Sequence, residues 1–142
     1  MGDRFTTFDD LHVGQKATFT KTIGEEELAH FIAITEDRNP LHVDEEFAAG
    51  TFFGSRIAHG MLSASLFSTL VGMELPGTGA IYRSQTLEFL RPCHLGDTLT
   101  AVFVVHSIDR AKNRIVLDSW IENQKGERVI EGRAVASLIR AG

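Results

Sequence analysis

The chain reads as an α+β domain in which a five-stranded antiparallel sheet wraps around one long central helix. Three observations predict this. A chain of 142 residues suits a single domain, 1–142, with one sizeable core. Its centre, residues 59–77 (HGMLSASLFSTLVGMELPG), is apolar on nearly every face a helix would present, the pattern of a buried helix. The sequence after that segment, and one stretch before it, alternates with a period of two.

The elements follow in order. In residues 15–23 (QKATFTKTI), Ala17, Phe19, Lys21 and Ile23 alternate with Lys16, Thr18, Thr20 and Thr22, a threonine-rich strand pattern. Gly24 then introduces EEELAHFIAI. Its leading glutamates suit the positive end of a helix, and Leu28, Phe31, Ile32 and Ile34 follow at helical spacing. That helix has to end before Asn39, because Pro40 pushes the residue before it out of the α region. Residues 44–50 (DEEFAAG) make a short helical turn stopped by Gly50. The central helix runs for about four turns at ~3.6 residues per turn, and Pro76-Gly77 ends it. Strands over 80–90, 98–108, 114–123 and 128–139, joined by short polar turns, read as an antiparallel meander. A single sheet leaves its edges unpaired, so a dimer formed by edge pairing is expected.

Composition narrows the function. A net charge of −5 argues against non-specific nucleic-acid binding. No apolar run is long enough to cross a bilayer, and the polar start does not read as a signal peptide, so a cytoplasmic protein with no membrane partner is expected. Cys93 is the single cysteine, which excludes an intrachain disulfide and reads as a passive thiol. GxGxxG, P-loop, HExxH and CxxC motifs are absent, and His12, His30, His94 and His106 have no metal-ligand spacing. Ser65 and Ser68 lack a nucleophile elbow, and Arg56, Arg83, Arg91 and Lys112 read one by one as surface charges.

Two stretches carry chemistry. In ITEDRNPLH, residues 34–42, Asp37 and His42 would diverge by about 140° on a continuous helix. The Asn39-Pro40 break lets the chain reverse and the two side chains converge. The stretch is then either an ordinary polar turn or an acid/base pair within reach of one water, with histidine titrating near neutrality. In IAHGM, residues 57–61, Gly60 heads the buried helix. It either eases packing or lets a ligand oxygen approach the free amides there, as in an oxyanion hole.

Taken together, FIAITEDRNPLHVDEEFAA and RIAHGMLSASLFSTLVGMELPG resemble the MaoC-like (R)-specific enoyl-CoA hydratases, in particular the short single-domain members that supply polyhydroxyalkanoate monomers. The family pattern falls on Phe31, Ile34, Thr35, Asp37, Asn39, Pro40, Leu41, His42 and Ala48. Glu36 departs from it, standing where many members carry glycine. The resemblance covers nearly the whole chain from about Val13. It implies a hot-dog fold and a homodimer with its site near the subunit interface. It also implies an acyl-CoA substrate, with Asp37 and His42 adding water to a trans-2-enoyl thioester to give the (3R)-3-hydroxyacyl-CoA. Gly60 would hold the thioester oxygen, Asn39 would belong to the site, and Ser68 and Val71 would face the acyl pocket. No metal or redox cofactor is implied. The alternatives are an acyl-CoA thioesterase on the same fold and a non-catalytic acyl-CoA-binding subunit.

Overall fold

The alternating second half of the chain forms three long strands, β4 (Thr98–Asp109), β5 (Arg114–Glu122) and β6 (Arg128–Leu138). The structure is a computed structural model, and it describes residues 4–140. Before these strands come β1 (Lys16–Thr22), α1 (Glu25–Thr35), α2 (Pro40–Val43), α3 (Glu45–Ala49), α4 (Gly60–Ala64), α5 (Leu66–Thr69), β2 (Ala80–Gln85) and β3 (Glu88–Phe89). All pairings are antiparallel, in the order β1-β4-β5-β6-β2, with β3 also beside β6.

The expected four-strand meander is therefore corrected. Only β4, β5 and β6 are joined as neighbours, and the strand before them pairs with β6 at the far side. Residues 90–97 make the crossing, held where Ala58 N–H donates to Cys93 O and Gly96 N–H to Ile23 O. The strand expected over 80–90 is also divided, which brings the count among the described residues from five to six. At Thr86 the side chain takes a place in the ladder: Arg133 N–H donates to Thr86 Oγ1 at 2.9 Å. A Cβ at Gly132 would lie 1.8 Å from Thr86 O, so backbone meets backbone here and only glycine fits.

The sheet packs against the central helical segment. Phe67, Leu70 and Leu75 meet Leu99 and Phe103 of β4 and Ile115, Leu117 and Ile121 of β5 in one buried cluster. The Phe67 and Phe103 rings stack at 5.5 Å between centroids. The segment is not the continuous α-helix its composition predicts. It breaks at Ser65, whose hydroxyl donates back to Leu62 O, and serine bonding to its own turn weakens the regular ladder. After α5 it widens into a π-helical turn over Leu70–Glu74, with Leu75 N–H reaching Leu70 O.

Candidate active site

α1 ends at Thr35, and Glu36 follows in the left-handed region at φ +60°. The αL residue therefore stops the helix, upstream of Asn39-Pro40. It explains why glycine suits this position, since a side chain is strained there. Asn39 and Pro40 act in the opposite sense to a breaker. Pro40 opens α2, and Asn39 caps it, its Oδ1 accepting the Leu41 N–H at 3.0 Å.

A regular device spans this turn. Thr35 Oγ1 accepts the Asp37 N–H at 3.2 Å, Asp37 Oδ1 the Asn39 N–H at 3.1 Å, and Asn39 Oδ1 the Leu41 N–H. Every second side chain from Thr35 to Asn39 thus holds the backbone two residues on. Asp37 is left with one carboxylate oxygen engaged, Oδ1, and a half-exposed side chain.

The chain then brings Asp37 and His42 together and adds a third group. Asp37, His42 and His59 each offer an atom within 4.8 Å of the others. The His42 ring stacks on that of His59, with centroids 3.8 Å apart and planes 27° apart, and Phe31 leans on His59 at 4.8 Å. Both imidazoles are buried. His42 Nδ1 lies 2.6 Å from Ile57 O, and His59 Nε2 lies 3.0 Å from Asp37 O. A carbonyl only accepts, so each of these nitrogens carries a hydrogen. His42 Nε2 is left outside these backbone contacts.

One carboxylate and two imidazoles also form a conceivable metal set. The stacking disfavours it: in-plane lone pairs of nearly parallel rings do not converge on an ion at about 2.0–2.1 Å.

Gly60 is the first residue of α4, where its N–H has no helical carbonyl to meet. A Cβ there would lie 2.7 Å from the Phe89 ring, so glycine also serves packing. Two apolar cavities flank this point and share Met61. One, of about 620 Å³, is lined by Ile57, Gly60, Phe89 and Cys93. The other, of about 720 Å³, is lined by Phe31, Ser65, Ser68 and Tyr82. Ser68 borders the second cavity, and Val71 is buried in the core at 3% exposure. Burial, with Asp97 nearby, pushes the Cys93 thiol up to about 11, in keeping with an inert thiol.

Two residues gain a place that spacing did not assign. His59 was visible only as the neighbour of Gly60. Arg56 is not a free surface charge: its guanidinium joins Glu25 of α1 to Glu45 of α3 and donates to His42 O at 3.3 Å. Acidic residues 31 and 11 positions away carried no local signal.

A curled antiparallel sheet around a helical segment, with an Asp-His site just before that segment, defines a hot-dog protein of the MaoC type. The MaoC like domain family matches residues 9–124, and the chain belongs to it. It is 47% identical over 128 residues to the (R)-specific enoyl-CoA hydratase of Aeromonas caviae, covering 90% of this chain and 96% of that one. It is 41% identical over 135 residues to the (R)-specific enoyl-CoA hydratase of Rhodospirillum rubrum, covering 95% and 93%. The unliganded R-hydratase PhaJ1 of Pseudomonas aeruginosa superposes with a TM-score of 0.90 at 42% identity, covering 96% and 88% of the two chains.

Proposed function

We propose that the protein is an (R)-specific enoyl-CoA hydratase. The observation that carries this is the meeting of Asp37, His42 and His59 within 4.8 Å beside the head of the central helical segment, in a chain 47% identical to such an enzyme. The water oxygen adds to C3 of a trans-2-enoyl-CoA and a proton arrives at C2, giving the (3R)-3-hydroxyacyl-CoA. Asp37 and His42 hold the water and move the protons between them. The Gly60 N–H meets the thioester oxygen as enolate charge develops, a contact whose loss typically costs ~2.7–4 kcal/mol of barrier. Asn39 serves by capping the turn, and Ser68 borders the acyl chain. Only protons and water move, so the reaction needs no metal or redox cofactor. A cytoplasmic setting, with the product feeding polyhydroxyalkanoate synthesis, fits this chemistry.

A homodimer is part of the same reading. β2 ends the sheet order, its Ile81 and Tyr82 are exposed, and Tyr82 lines the Ser68 cavity. Pairing at that edge would satisfy its free backbone groups. Light scattering should give twice the chain mass; an active monomer would contradict this.

The decisive assay incubates the protein with crotonyl-CoA and follows enoyl-thioester absorbance and free thiol separately. Absorbance should fall without thiol release; thiol release would indicate a thioesterase, and neither signal a binding subunit. Asp37→Asn retains an oxygen for the Asn39 N–H, so it tests the carboxylate and not the turn. It and His42→Ala should each lower kcat at least ~10²-fold with the fold intact. Near-normal turnover in either would sink the mechanism.

A further inference from the structure

We propose that His59 is a positioning residue for the Asp37/His42 pair, held neutral as its Nε2–H tautomer, fastening the Asp37 main chain and giving the His42 ring its stacking face. The proposal rests on reading Asp37 and His42 as the acid/base pair.

Three contacts converge on one imidazole. His59 Nε2 lies 3.0 Å from Asp37 O and 3.8 Å from Asp37 Oδ2. The ring face meets His42 at 3.8 Å, and Phe31 tilts against it at 4.8 Å. The side chain is 4% exposed, and its Nδ1 is buried with no partner among the described residues.

These contacts select one protonation form. The Asp37 carbonyl accepts, so Nε2 bears the hydrogen. A second hydrogen on Nδ1 would bury an N–H with no partner, a cost that the Asp37 carboxylate, which lies on the Nε2 side at 3.8 Å, does not relieve. The opposite tautomer would bury the same unpaired N–H and set the Nε2 lone pair against the carbonyl. Neutral Nε2–H leaves only a lone pair unpartnered, the least costly of the three.

The consequence is positional. His42 has its Nδ1 on Ile57 O and its face on His59, so the direction of its free Nε2 is set. Asp37 has Oδ1 on the Asn39 N–H and its carbonyl on His59, so its second oxygen is set as well. His59 is the one side chain of the three that touches both members of the pair. It needs to exchange no proton. A misplacement of about 1 Å in such a site costs on the order of 10²-fold in rate.

The test compares His59→Phe, which keeps a ring face and loses the donor, with His59→Gln, which keeps an N–H at the ε position. With crotonyl-CoA, His59→Phe should lower kcat about 10- to 100-fold while KM stays within about threefold. His59→Gln, which restores the donor but not the ring face, should recover part of that loss. Long-range ¹H–¹⁵N spectra of the unaltered protein should show His59 with a bare Nδ1 and a protonated Nε2 at about pH 7. Parental kcat in His59→Phe, a His59→Gln protein no faster than His59→Phe, or a protonated His59 Nδ1 would each overturn the proposal. If His59→Phe fails to fold, the glutamine variant and the spectra decide. Asp37→Asn and His42→Ala are run alongside. If they stay active, the acid/base reading fails and this proposal falls with it. If they are inactive and His59→Phe keeps parental kcat, this proposal alone fails.

Discussion

Strands β4 to β6 and the segment from Thr35 to Gly60 meet at the same central helical segment, yet they are held in different ways. In β5, Ile115, Leu117 and Ile121 are fully buried, and order comes from many non-directional apolar contacts. Between Thr35 and Gly60 the helices are four or five residues long, and single hydrogen bonds set each bend. The sheet can lose a contact and keep its shape. The polar segment has few contacts to lose, and each one aims a side chain. The apolar core and the geometry of the candidate site thus belong to separate regions.

Three substitutions sharpen or break that comparison. Leu117→Ala empties a site of 0% exposure in β5 and should cost about 2–5 kcal/mol of stability in chemical denaturation. Its kcat per folded molecule should equal the parent's; a large fall would show that the two regions are coupled. Arg56→Ala should cost about 1 kcal/mol, since its partners Glu25 and Glu45 are 71% and 65% exposed and solvent screens both pairs. Because the side chain also holds His42 O, kcat should fall a few-fold in the crotonyl-CoA assay, the reverse of the Leu117 pattern. The smallest effect belongs to Glu36→Gly. It relieves the φ +60° strain while loosening the unfolded chain, and should raise the melting free energy by about 0.5 kcal/mol with activity unchanged.

The same division explains what was legible beforehand. Period-two alternation marks β1 and β4 to β6 because one face of each packs on the core. Pairing order does not follow from alternation: β2 looks the same whether it joins β4 or β6, and only the crossing at 90–97 decides. The break at Ser65 and the π turn are tertiary adjustments that the apolar pattern of the central segment does not encode. At the site, Asp37 and His42 stand close together in sequence and their meeting could be reasoned from the turn. His59 is 22 residues from Asp37, and Arg56 reaches back 31 residues to Glu25. Contacts at such separations leave no local trace.

The alternate-residue hydrogen bonds from Thr35 to Leu41 have a consequence for how the protein tolerates change in length. Each oxygen serves the amide two positions on, so the three bonds share a common phase. A point substitution removes one of them. A single inserted or deleted residue between Thr35 and Leu41 would dephase those that span it, and would move Asp37 relative to His59. Loops on most proteins absorb such indels readily. This one should refuse them, so variation in length is expected to collect in the turns after β4 and β5, where no such series of bonds sets the phase.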